Sequence, residues 1–282
     1  MLILFLASLP CLVGIGDSEF ACKPDAPADV QKIPAPGVTM RVRGANTASA
    51  TRAPWVDSNG WRFLQKPGGH YLYELPKGKA QIAAAEAFAF GADARLQVAP
   101  EDAKSAGALL AFLKNIPEMP GLGPAANIAV LDNGSQALPE VINLMIRRNL
   151  LCRVVRAPDS SADLNVRIGS PEFPEAEAAN PVAVADKARQ LLTDKKRLIR
   201  IYGTEVVIGR LYTGAGKARL HLVNYGSQSA PGIRVRVRGP YKEANLSAFG
   251  FDNAKPEDLV VQGGAIEFTV PEMGAYAVVD LK

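Results

Sequence analysis

From Leu198 to the C-terminus the chain reads as six short, mostly alternating segments, LIRIYG, TEVVIGRLY, KARLHLVNYG, GIRVRVRG, AIEFTV and AYAVVDL, separated by turns that often carry glycine. Successive side chains on a strand point to opposite faces, so alternation of this kind demands strands with one face buried and one polar. No helix is needed to close such a unit. The pattern predicts an antiparallel β-sandwich over 198–282.

Upstream of Leu198 the hydrophobic period changes. NIAVLDNG reads as a strand running into a turn, and Ser135 is placed to cap a helix whose inner face includes Leu138, Val141, Ile142 and Met145. CRVVRAP and LNVRIG follow as extended pieces and PVAVADKARQLLTD as a further helix. This β-α-β order predicts a parallel sheet with helical crossovers over 125–197. IPEMPGLGP, rich in proline and glycine, sets the boundary before it. An N-terminal α/β segment is expected over 38–118, with the strand VTMRVRG, the extended HYLYEL, the helix AQIAAAEAFAF ending at Gly91, the strand ARLQV and an amphipathic helix over 101–115. The expected fold class is therefore α/β followed by a C-terminal antiparallel β-sandwich.

The first sixteen residues, MLILFLASLPCLVGIG, are uncharged, almost wholly apolar and followed by Asp17, Ser18 and Glu19, the outline of a signal peptide. Residues 17–37, with four prolines, read as a linker. The expectation is an exported protein, periplasmic or extracellular, with no stable membrane span once the leader is removed, since a span needs roughly 20 apolar residues. Loss of Cys11 with the leader leaves Cys22 and Cys152, which form one long-range disulfide or remain a mobile and a buried thiol. No C-x-x-C is present, which argues against thiol-disulfide chemistry and structural zinc.

Several other chemistries drop out. A net charge of +4 without a lysine-rich block argues against nucleic acid. The two histidines, His70 and His221, fall in different predicted domains and leave no imidazole pair for a metal or a nucleophile–base couple. TGAGKARL lacks the spacing of a phosphate loop and suits a hairpin turn. Neither a metal nor a cofactor is expected.

The strand-to-helix stretch VLDNGSQALPEVINLMIRRNLLCRVV and the strands RLHLVNYG and IRVRVRG carry a resemblance over about the C-terminal half. In the order of a small α/β unit and then an all-β unit, the chain resembles the two accessory domains that follow the catalytic barrel in glycoside hydrolase family 42 β-galactosidases. In that family the α/β domain looks like a class I glutamine amidotransferase fold without its chemistry. The resemblance implies a carbohydrate context and possible homo-oligomerisation through the α/β domain. No cysteine here sits in a G-x-C-x-G elbow, so the amidotransferase nucleophile is not carried over. A full β/α barrel takes roughly 250 residues, so the barrel carboxylates have no counterparts here either.

APWVDSNGWRF, residues 53–63, gathers both tryptophans with polar side chains. Trp55 and Trp61 can form a sugar platform with Asn59 and Arg62 as hydrogen-bonding partners of hydroxyl groups. The same residues also suit a tight turn at Asp57-Ser58-Asn59-Gly60 anchored by Trp55, Trp61 and Phe63, or an interaction surface. Paired carboxylates are the remaining route to hydrolysis, with Asp57, Glu74 and Glu86 as candidates and Asp57 and Glu86 as the pair if they lie about 5 to 10 Å apart in one cleft. Glu86 occupies an otherwise apolar helix and should be exposed, ion-paired with an arginine such as Arg62, or poised with a raised pKa. In the sandwich, Lys217, Arg219 and His221 alternate along one strand and Arg234, Arg236 and Arg238 along another, which makes a basic face if those strands pair. The functional expectation is an exported carbohydrate-associated protein that binds glycan or assists a glycoside hydrolase. A glycoside hydrolase using paired carboxylates and a non-catalytic structural or oligomer-forming protein are the alternatives.

Overall fold

The computed structural model describes residues 12–15, 31–33, 39–42 and 54–282. Most of the expected leader and linker, Cys11 and Cys22 lie outside the described residues. The chain forms two compact units, 1–118 and 119–282.

In the first unit the strands are β1 (Leu12–Ile15), β2 (Gln31–Ile33), β3 (Thr39–Val42), β4 (Pro54–Asp57), β5 (His70–Glu74) and β6 (Asp93–Gln97). Its helices are α1 (Gly60–Gln65), α2 (Ala80–Ala89) and α3 (Ala103–Lys114). One sheet has the order β1-β6-β5-β2, with β2, β5 and β6 parallel and β1 antiparallel at the edge; β3 and β4 form a separate antiparallel pair. β5, α2 and β6 thus make a βαβ crossover. α2 packs against α3 and β6 and is buried along most of its length, because alanine side chains let neighbouring elements approach closely. Phe63, Tyr71, Tyr73 and Phe90 form an aromatic cluster, with Phe63 4.9 Å from Tyr71 between ring centroids. At the start of α1 a Cβ on Gly60 would sit 2.3 Å from the Phe90 ring, so any larger residue there would have to displace that ring.

The second unit opens with β7 (Gly123–Pro124), β8 (Ile128–Leu131), α4 (Leu138–Arg147), β9 (Cys152–Val155), β10 (Leu164–Val166), α5 (Glu175–Ala178) and α6 (Pro181–Lys196). β10, β8 and β9 form a parallel sheet in that order, as the β-α-β pattern requires. α4 turns Leu138, Val141, Ile142 and Met145 inward. α6 is broken at Thr193, whose φ of 62° and ψ of 155° are not helical.

Eight strands follow: β11 (Ile199–Tyr202), β12 (Val207–Gly214), β13 (Lys217–Asn224), β14 (Ala230–Arg238), β15 (Ala244–Ala248), β16 (Glu257–Gln262), β17 (Ala265–Met273) and β18 (Tyr276–Leu281). β11-β14-β17-β16 form one antiparallel sheet, and β15-β18-β13-β12-β7 a second. Leu211, Leu220, Leu222, Val279 and Leu281 of the five-stranded sheet share one hydrophobic cluster with Ile233, Val235, Val237, Phe268 and Val270 of the other. The Asn149 side chain ties the helical part to β12 by donating to the Val207 carbonyl and accepting from the Gly209 N–H, at 3.2 and 2.7 Å.

Two of the eight strands escape the sequence pattern. β15 is short and poor in β-branched residues. β16 is exposed at every position, so no buried face imposes alternation on it. The basic triplets also separate: β13 and β14 belong to different sheets, and no continuous face joins their cationic residues. Alternation specifies which way a side chain faces, and pairing is decided by tertiary contacts.

Close approach at the sheet edge gives a direct test. A Cβ on Gly214 would lie 2.1 Å from the Gly121 carbonyl oxygen, a backbone atom that cannot swing aside. Gly214→Ala should therefore displace the short β7 from β12 and destabilise the protein by roughly 1–3 kcal/mol in chemical denaturation.

Candidate functional site

The turn at residues 58–60 is held by a buried carboxylate. Glu86, on α2, is 0% exposed. Its Oε1 accepts from Ser58 Oγ at 2.7 Å and from the Asn59 N–H at 2.9 Å, while the Tyr73 hydroxyl donates to Oε2. Ser58 Oγ in turn accepts from the Gly60 N–H at 3.0 Å. A carboxylate inside an alanine helix would be strongly disfavoured without such donors. Here a strand, a turn and a helix are tied together through one side chain. This differs from the expected exposure: the carboxyl group is buried, and hydroxyl and amide donors converge on its oxygens. A general acid or base must reach a proton on its substrate, and in this conformation the Glu86 side chain is fully buried.

Ser58 and Tyr73 were not singled out in the sequence, although a signal existed. Tyr71 and Tyr73 are the buried positions of β5, and a buried carboxylate calls for hydroxyl donors nearby.

α1 carries the partly exposed part of the site. Arg62 Nε donates to Asn59 Oδ1 at 3.1 Å, and its guanidinium lies 4.2 Å from the centroid of the Trp61 ring. Trp61 and Arg62 are half-buried and Asn59 is buried. The Tyr71 hydroxyl lies 3.1 and 3.0 Å from the carbonyl oxygens of Arg62 and Lys66, so its single proton is shared between two acceptors near the end of α1. Burial raises the Tyr71 pKa above its ordinary value, against the lowering effect of Arg62. Asn59, Trp61 and Arg62 are thereby brought together. Trp55 and Asp57 belong to β4, but their side chains lie outside the described residues, and with them the Asp57–Glu86 spacing.

Elsewhere in this unit, His70 Nδ1 and Asp93 Oδ2 are 2.5 Å apart at register-paired positions of β5 and β6. Among the described residues no group of three or more histidine, cysteine, aspartate or glutamate side chains is placed to hold a metal ion. Cys152 is a buried free thiol, and burial pushes its pKa up to about 11, which keeps it protonated and unreactive.

In the second unit β13 carries its polar residues into a buried layer. Arg219 Nε and Nη2 donate to the two Asp280 oxygens at 2.6 and 2.8 Å, across the β13–β18 pair. His221 is 6% exposed, and its Nδ1 lies 2.6 Å from the Tyr276 hydroxyl. Burial, reinforced by Arg219 and Arg210, lowers its pKa to about 3. The imidazole is therefore neutral at ordinary pH. On β14, Arg234 and Arg236 reach Glu267 at 3.6 and 3.2 Å, and Arg238 reaches Asp163 at 3.7 Å. These cations are locally compensated.

Two outcomes follow from these burials. Glu86→Ala should remove the common acceptor of Ser58, Asn59 and Tyr73 and lower stability by roughly 3 kcal/mol or more, whereas Glu86→Gln keeps an acceptor and loses only about 1 kcal/mol. Both are readable by denaturant titration. For His221 the native pKa lies below the unfolded value of 6.5, so the unfolded state binds the extra proton as pH falls. Its contribution is present above pH 6.5 and is lost progressively between there and about pH 3. Thermal melts across that window should show a decline that His221→Gln, which cannot titrate, makes shallower.

No family model matches the chain, and no curated protein matches it in sequence. Among solved structures, alpha-L-fucosidase isoenzyme 2 from Paenibacillus thiaminolyticus aligns with a TM-score of 0.56 at 11% identity. That alignment covers 79% of this chain and 62% of the fucosidase chain. An Anoxybacillus alpha-amylase aligns with a TM-score of only 0.18 at 8% identity, over 51% of this chain and 32% of its own, and carries no argument. The chain is thus similar in fold to a glycoside hydrolase and covers less than two thirds of that enzyme's length.

Proposed function

We propose that this chain is an exported, carbohydrate-associated protein that binds glycan or assists a glycoside hydrolase, without hydrolysing glycan through Glu86. The observation that carries the reading is the fold likeness to an α-L-fucosidase over 79% of the chain. The burial of Glu86 under three donors supports the non-hydrolytic part. Within the second unit, the shared hydrophobic cluster supports a face-to-face β-sandwich over 198–282, and the three parallel strands support an amidotransferase-like domain over 125–197. This order is the one seen in family 42 accessory domains. Homo-oligomerisation through the parallel-sheet domain and a periplasmic or extracellular location belong to the same reading.

For the binding surface the reading favours α1. In this reading Trp61 offers an indole to the C–H face of a pyranose and Arg62 donates to hydroxyl groups, with the buried Asn59 orienting Arg62. No helix among the described residues is long and apolar enough to cross a membrane.

A glycan array probed with the full chain, followed by titration of the best ligands, tests this. Binding at millimolar or lower concentration is expected, weakened about tenfold or more by Trp61→Ala, a loss of ~1.4 kcal/mol or more. Chromogenic aryl glycosides should show no turnover. Absence of any glycan binding at millimolar concentration defeats the proposal. So does hydrolysis that disappears in a folded Glu86→Gln variant.

A further inference from the structure

The break in α6 borders a cleft of about 500 Å³ lined by Asp186, Arg189, Gln190, Thr193 and Asp194. Every lining residue can donate or accept hydrogen bonds. Thr193 sits in its wall with φ 62° and ψ 155°, a conformation that a β-branched residue adopts only under strain. Strained backbone of this kind clusters where ligands are clamped.

The cleft wall itself carries two carboxylates, Asp186 and Asp194, and one guanidinium, Arg189, and the surplus of cations comes from Arg148, Arg197 and Arg200 beside it. Arg148 Nε pairs with Asp186 Oδ1 at 2.9 Å. Three further guanidinium groups converge on the single carboxylate of Asp194: Arg197 at 3.4 Å, Arg200 at 3.3 Å and Arg189 at 3.9 Å. Four cations thus share two carboxylates. The Nε atoms of Arg197 and Arg200 are buried without a hydrogen-bond partner, so the group is under-supplied with acceptors. Crowding is also visible in Arg197, whose pKa is lowered by burial, with Arg189 and Arg200 adding to the effect. Arg189 is the member that faces the cleft. Its side chain is 50% exposed, and 3.9 Å to Asp194 is beyond hydrogen-bonding distance, which leaves its fork open for a two-pronged contact. Arg200 also lies 5.0 Å from the ring centroid of Tyr202, which is 39% exposed. An aromatic surface therefore stands one side chain away from the cleft.

We propose that this cleft binds the oxyanion group, carboxylate or sulfate, of an acidic oligosaccharide, with Arg189 as its principal partner. Gln190, Thr193 and the rims of Asp186 and Asp194 then meet hydroxyl groups of the same sugar. The preference for an oxyanion stands on the charge imbalance alone, and the sugar scaffold rests on the carbohydrate reading above. The cleft belongs to the second unit and the Trp61 surface to the first.

Calorimetric titration of the full chain with four probes decides the matter: an oligogalacturonate, a sulfated oligosaccharide, a neutral oligosaccharide of equal length, and sodium sulfate. At least one acidic oligosaccharide should bind about tenfold or more tightly than the neutral one, and whichever does so identifies the oxyanion. That preference should vanish in Arg189→Gln, persist in Trp61→Ala and shrink as salt is raised. Because Arg189 is exposed, Arg189→Gln should keep the wild-type melting curve. Equal affinity for acidic and neutral probes overturns the proposal, as does acidic binding untouched by Arg189→Gln. Binding of sodium sulfate with no binding of any oligosaccharide overturns it too. Glycan binding that is lost in Trp61→Ala and shows no preference for the acidic probes overturns this site while leaving the Trp61 surface intact.

Discussion

The first unit is organised by the requirement that one buried carboxylate be fully served. Glu86 lies in a helix whose other inward residues are alanines, and its charge has no route to water. Donors must therefore come from elsewhere in the fold, and they arrive from a turn and a strand at once, through Ser58, Asn59 and Tyr73. That convergence sets where α1 begins. It also explains why Gly60 stands against the Phe90 ring, since the turn is drawn close to α2 and its end. Trp61 and Arg62 owe their shared position on α1 to a group two elements away.

The second unit rests on a different constraint, the sharing of one apolar cluster by two antiparallel sheets. Its polar residues respond to that arrangement in two ways. On β13, Arg219 and His221 are buried and become partners of Asp280 and Tyr276. On β14, arginines stay near solvent and are balanced by Glu267 and Asp163. A denser cationic group stands at the break in α6, where three arginines meet one aspartate.

Much of the architecture was legible in the sequence because period reports burial. The apolar stripe of α4, the inward leucines of β13 and the valines of β14 each occupy the face that their spacing predicts. The candidate site was only partly legible. DSNG reads as a turn in any context, and the structure adds that Ser58 and Asn59 serve Glu86 while Arg62 leans on Trp61. The α6 cleft had no sequence signal, since Asp186, Arg189, Gln190 and Asp194 look like an ordinary solvated helix face until Arg197 and Arg200 are folded against it.

By itself, the sequence determined the succession of a β-α-β region and a glycine-punctuated β region, and the absence of a C-x-x-C motif and a phosphate-loop motif. Those follow from local periodicity and from residue types, which need no partner to be read. Only the tertiary structure decided that Glu86 is a buried tie, that β13 and β14 lie in different sheets, and that Arg148, at the end of another helix, meets Asp186 beside the break in α6. Each of these depends on which side chains from separate segments meet. Desolvation and charge balance act between such segments, and one-dimensional spacing carries no information about them.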